Sequence, residues 1–150
     1  LDISESAIAE ARWNANLNGL GQKVEFQVAN AFDVLKKWSR EGKKYDVVML
    51  DPPAFTKSRE NMHKALSGYK EINLRGMKLL RSGGFLVTSS CTNLVSPENF
   101  LEMIRAAARD AGKKLRQVVF ATQSPDHPIV REIENTEYLK FLIVEVRDQM

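Results

Sequence analysis

One cysteine, Cys91, occurs in 150 residues. A disulfide framework within the chain is therefore excluded. A lone thiol suits a reducing compartment, so a cytoplasmic setting is expected. Histidine is equally scarce, with His63 and His127 far apart. No grouping of Cys, His and Asp has metal-ligand spacing, so no metal is expected. No apolar run approaches the roughly 18 residues of a membrane span, and no membrane partner is expected. The chain opens at Leu1, without Met and without a signal-like segment. The expectation is a chain that starts inside a domain. Charge of one sign is also modest: 22 Lys and Arg against 19 Asp and Glu leave +3, with a pI near 9.0. That balance tolerates a polyanionic partner without requiring one. Internal repeats, low-complexity tracts and linkers are lacking.

What is present is an ordinary globular balance, 43% hydrophobic and 27% charged. The length suits about one domain. Strand and helix signals alternate along it. Leu1-Asp2 reads as a strand end. Ser4 or Ser6 can cap a helix carrying Ile8, Ala11 and Ala15, stopped at Asn18-Gly19. Val24 to Val28 alternates as a short strand. Phe32, Leu35 and Trp38 have helical spacing, ended by Gly42. Tyr45 to Leu50 reads as a buried strand broken by Asp51-Pro52-Pro53, since proline gives no amide proton to a sheet.

A long helix is predicted from Ser58 to Leu80, with Leu66, Tyr69, Ile72 and Leu80 inward and Ser82-Gly83-Gly84 as its stop. Phe85 to Ser90 is the next buried strand. Ser96-Pro97 opens a helix with Phe100, Leu101, Ile104, Ala107, Ala108 and Ala111 on one stripe, closed by Gly112. Leu115 to Ala121 and Tyr138 to Val146 are joined by a proline-containing loop rather than a helix, which predicts an antiparallel hairpin. The fold class is therefore α/β, a doubly wound Rossmann-like sheet, mostly parallel, with a C-terminal antiparallel hairpin.

In such sheets ligands bind beyond the carboxyl ends of the strands. Those ends are Asp2, Asn30, Asp51-Pro52-Pro53 and Ser90-Cys91-Thr92. A carboxylate at Asp2 suits two ribose hydroxyls, or else caps the following helix. Asn30 can meet an adenine edge, or else serves as a turn residue. Two prolines after Asp51 fix a rigid backbone that aims its carboxylate and carbonyls into the crevice. Cys91 stands where a core strand meets a loop, a place that can expose a thiol and stabilise its thiolate. A nucleophile and an acid from neighbouring strand ends would then share one pocket. Lys57, Arg59 and Lys64 follow the proline loop and suit either phosphate contacts or a solvated helix face. Asp126-His127-Pro128 reads as a turn.

Six segments, "LDIS", "VANAF", "VVMLDPPAF", "RSGGFLVTSSCT", "DHP" and "EYLKF", occur in this order. Assembled, they resemble the catalytic domain of S-adenosylmethionine (SAM)-dependent large-subunit ribosomal RNA methyltransferases. Among these, the chain looks most similar to the cytosine-5 enzymes that carry an N-terminal PUA domain. The pairing of Asp-Pro-Pro-x-Phe with Ser-Cys-Thr at the next strand end is the most specific part. The resemblance implies SAM as cofactor and ribosomal RNA as partner. It implies SAM binding by Asp2, Ile3, Asn30, Ala31, Asp51 and Pro52, and substrate contacts from Pro53, Phe55, Lys57 and Arg59. Cys91 matches the catalytic cysteine and Asp51 its acidic companion. Asn30 departs from the family, which usually has Asp there.

A Gly-rich loop after the first strand, which the family uses to approach the cofactor, is not found. The expectation is an N-terminally truncated catalytic domain over residues 1–150, inactive by itself and weak in SAM binding. Two other readings use the same residues. One is an RNA methyltransferase acting on a guanine or exocyclic nitrogen, which needs no thiol. The other is a non-catalytic RNA-binding remnant of the SAM fold.

Overall fold

The computed structural model describes residues 1–55, 58–133 and 136–149. Among the described residues, four helices and four strands form an α/β domain. In chain order they are α1 (Glu5–Leu17), α2 (Ala31–Arg40), β1 (Tyr45–Leu50), α3 (Met62–Lys78), β2 (Leu80–Ser90), α4 (Pro97–Ala111), β3 (Lys113–Ala121) and β4 (Lys140–Asp148). A short 3-10 turn, Arg59–Asn61, precedes α3.

Local chemistry sets most boundaries. The hydroxyl of Ser4 accepts from the Ala7 amide and starts α1. Asn30 caps α2 in the same way, accepting from Phe32 N at 2.9 Å. Ser96 accepts from Asn99 N, and Pro97 occupies the first turn of α4, where a missing amide proton costs nothing. Gly112 ends α4 in the left-handed region, φ 65°.

The strands lie in the order β1-β2-β4-β3. β1 and β2 run parallel, while β4 is antiparallel to both β2 and β3. The C-terminal hairpin predicted from the proline loop is thus present, with β4 inserted beside β2. A separate parallel bridge joins Asp2 to Val28. The expected strand over Val24 to Val28 reduces to this one bridge. Val24 and Val28 are both exposed, so that segment buries no face that would hold a longer ladder.

The core lies on one face of the sheet. Val48 and Leu50 of β1, Leu86 of β2 and Leu142, Val144 and Val146 of β4 pack against Tyr69, Ile72, Phe100, Ile104 and Ala107 of α3 and α4. Burying such a side chain contributes roughly 1.5–3 kcal/mol. The opposite face is more open. Val47 is 54% exposed and Met49 71%, so β1 is half-buried rather than buried throughout. No helix among the described residues is long and apolar enough to cross a membrane.

The third helix also differs from expectation. It stops at Lys78 instead of Leu80, because its last carbonyls find partners at the start of β1. Lys44 Nζ donates to Lys78 O, and Tyr45 N donates to Leu79 O, both at 2.8 Å. Leu80 then enters β2 beside Tyr45, and Ser82-Gly83-Gly84 lies within the strand. Gly76 lets α3 approach the sheet. A Cβ there would stand 2.9 Å from Leu50 Cδ1 and 3.4 Å from side chains of Leu86 and Val48. Gly76→Val is expected to destabilise the domain by about 1–3 kcal/mol through overpacking. Denaturant titration measures it.

Candidate active site

Four strand and bridge ends converge on one groove of about 900 Å³. It runs between the Asp2–Val28 bridge and the exposed edge of β1. Asp2, Ile3, Asn30 and Ala31 line it together with Asp51, Pro52, Pro53, Phe55 and Cys91. These are all the described site residues expected from the sequence, save Arg59. Arg59 opens the 3-10 turn. Lys57 lies outside the described residues, as does the side chain of Arg59. Val47 and Met49 add an apolar wall.

Each polar group is partly engaged. Asp2 Oδ1 accepts from Ser4 N at 2.8 Å, which leaves its second oxygen for a ligand. Asn30 uses its side-chain oxygen to cap α2, which leaves its amide as donor. Asp51 follows β1 and is exposed; its Oδ1 accepts from Ser89 Oγ at 2.6 Å. Cys91 follows β2 and is also exposed. Because β1 and β2 are parallel neighbours, paired at Leu50 and Thr88, their two following residues open on the same end of the sheet.

The loop after Asp51 is fixed from beneath. Tyr69, wholly buried on α3, donates through its hydroxyl to Pro53 O at 3.3 Å. Its ring packs on Phe55 with centroids 4.5 Å apart, and Phe55 meets Phe32 at 5.9 Å. Burial pushes the Tyr69 phenol above its ordinary range. The loop after Cys91 is held by Lys140 at the start of β4. Its ammonium donates to the carbonyls of Thr92 and Tyr138.

Neither Ser89, the hydroxyl of Tyr69 nor Lys140 stood out as a site residue from the sequence. Lys140 carried a usable signal. It is in phase with Leu142, Val144 and Val146, and that alternation turns it to the core.

Burial lowers Lys140 from 10.5 to about 8. The folded state thus resists protonation more than the unfolded state. The cost is full below about pH 8, and stability rises as pH climbs from about 8 toward 10.5. A shift of that size corresponds to about 3 kcal/mol. Denaturation across this range should show the rise, and Lys140→Met should flatten it.

Among the described residues no cluster of His, Cys, Asp and Glu is placed to hold a metal. His127 instead sits in the exposed β3–β4 connection, with Nδ1 3.2 Å from Asp126.

A methyltransferase-domain family model matches residues 1–141. The chain belongs to this methyltransferase domain family. It is 39% identical over 145 residues to the ribosomal RNA large subunit methyltransferase I of Tolumonas auensis, covering 96% of this chain and 36% of that protein. The protein of the same name from Aeromonas salmonicida is 38% identical over 148 residues, covering 98% and 37%. The chain therefore spans little more than a third of the length of these relatives. A methyltransferase solved in complex with SAH superposes with a TM-score of 0.75 at 17% identity, covering 95% of this chain and 37% of that one. A methyltransferase homologue from Pyrococcus horikoshii gives 0.66 at 18% identity, covering 99% and 52%. At such identities the superpositions establish the Rossmann-like methyltransferase fold alone.

Proposed function

We propose that this domain serves a SAM-dependent methyltransferase whose target is C5 of a cytosine in large-subunit ribosomal RNA, reached through a covalent adduct of Cys91. The observation that carries the reading is the opening of Asp51 and exposed Cys91, from adjacent parallel strands, onto one groove. The family match, the names of the relatives and a structural neighbour bearing SAH support the methyl donor and RNA class.

The residues fit a nucleoside sulfonium. Asp2 offers a free carboxylate oxygen for ribose hydroxyls. Asn30 offers amide protons for an adenine nitrogen, and Ala31 a backbone amide beside it. Ile3, Val47 and Met49 supply apolar surface for the base. Pro52 rigidifies the turn between donor and target. SAM supplies an electrophilic methyl group when bound.

The chain's own groups would prepare cytosine to accept that methyl. C5 is a weak nucleophile. Addition of the Cys91 thiolate to C6 forms a C–S bond and makes C5 enamine-like. Asp51 shares a proton with N3 and stabilises the charge that gathers there. Ser89 holds the Asp51 carboxylate toward the groove. After C5 gains the methyl, loss of the C5 proton to a base expels the thiolate and restores the ring. Pro53 and Phe55, seated on Tyr69, would border the flipped base, and Lys57 and Arg59 are the proposed phosphate contacts. A cytoplasmic setting follows from an RNA substrate of this class.

The test is transfer of labelled methyl from SAM to large-subunit ribosomal RNA by the protein carrying this chain, with nucleoside mass spectrometry of the product. 5-Methylcytidine is expected. A methylated guanine or exocyclic amine would replace this reading with the nitrogen-directed one, and no transfer to any RNA would favour a non-catalytic role.

A further inference from the structure

A buried cation is costly unless an opposing charge faces it. Lys140 is 1% exposed, yet its hydrogen bonds go to carbonyls rather than to a carboxylate. An ammonium has three protons, and the carbonyls of Thr92 and Tyr138 take two of them. Two acidic groups act on this ammonium electrostatically, Cys91 first and Glu137 second. Glu137 is already paired with Arg131 at 3.0 Å. Tyr69 donates to Pro53 O and Asp51 accepts from Ser89, so neither hydrogen-bonds this ammonium. Cys91 directly precedes the anchored Thr92, and its charge when ionised acts on the Lys140 ammonium.

The same ammonium also fixes the path of the chain. Thr92 directly follows Cys91 and is itself buried. Its carbonyl, held by Lys140, sets the angle at which the backbone leaves β2 and so where the thiol points.

We propose that Lys140 is the positioning residue for Cys91: it anchors the Thr92 carbonyl and sets a positive charge facing the Cys91 thiolate. The inference rests on the reading of Cys91 as nucleophile. A thiolate that must both add to C6 and later leave benefits from a fixed countercharge at both steps. The grip on Thr92 gives both steps one geometry.

Alkylation by iodoacetamide reads this directly, because Cys91 is the one thiol of the 150-residue chain. Lys140→Gln keeps a donor for the carbonyl and removes the charge. It should slow alkylation at neutral pH by about tenfold. Lys140→Arg keeps the charge and should recover most of the native rate. Unfolding cannot imitate the slowing, since a freed thiol reacts faster, and melting curves of both variants monitor it. Equal rates for the native chain and Lys140→Gln, with both folded, would overturn the proposal. So would an equal slowing in the Gln and Arg variants. The reaction uses neither RNA nor SAM, so its result is read separately from the identity of the methylated base.

Discussion

Cys91→Ala should abolish transfer to cytosine C5, with a loss on the order of 10⁴-fold or more. The ring carbon cannot attack a methyl group until C6 is occupied, and the thiol is the group in this groove able to occupy it. The loss should fall on kcat, since Cys91 follows β2 and is distinct from Asp2 and Asn30, the residues proposed to hold the nucleoside. Stability should barely change. Cys91 is exposed, and surface substitutions usually fall within about 0.5 kcal/mol. Steady-state methyl transfer and thermal melting, run on the same preparation, measure both. Full retention of transfer in Cys91→Ala would assign the chemistry to a nitrogen target, for which no thiol is needed.

Asp51→Ala should lower kcat by about 10²–10³-fold, the scale seen when one preorganised group at a developing charge is removed. Position gives the Asp51 carboxylate this weight. Pro52 and Pro53 stiffen the turn that follows, Tyr69 pins Pro53 O, and Ser89 orients the carboxylate at 2.6 Å. Such a group is aimed before substrate arrives, so it does not reorganise during the reaction. Asp51→Asn keeps the size and a hydrogen bond to Ser89 but removes the acid, and should remain close to the alanine variant. A near-native Asn variant would mean that Asp51 shapes the loop rather than shares a proton.

Much of this site was legible in the sequence because it lies where local signals are strong. Asp51-Pro52-Pro53 ends β1 for a steric reason that needs no tertiary context. Ser4 and Ser96 mark helix starts through hydroxyls that accept from amides three residues on, and Gly112 marks an end through its left-handed backbone. With strand ends located, the crevice rule brought Asp2, Asn30, Asp51 and Cys91 to one end of the sheet. The groove holds all of them.

The misses have a common cause in contacts distant along the chain. Lys140 meets Thr92 from 48 residues away, Ser89 meets Asp51 from 38, and Lys44 meets Lys78 from 34. Periodicity gives the face a side chain takes, not the atom it finds there. The end of α3 shows the same limit, because apolar Leu80 continues its stripe while β2 claims it. Val24 to Val28 alternates well enough for a strand, but alternation supplies no partner, and just one bridge forms.

The most direct test of the central claim is a trapping experiment. The protein carrying this chain would be mixed with SAM and large-subunit ribosomal RNA containing 5-fluorocytosine. Fluorine at C5 does not leave as a proton does, so an enzyme working through Cys91 should stall as a protein–RNA adduct that survives denaturation and is missing in Cys91→Ala. Methylation of ordinary RNA with no adduct on the fluorinated RNA would contradict the account.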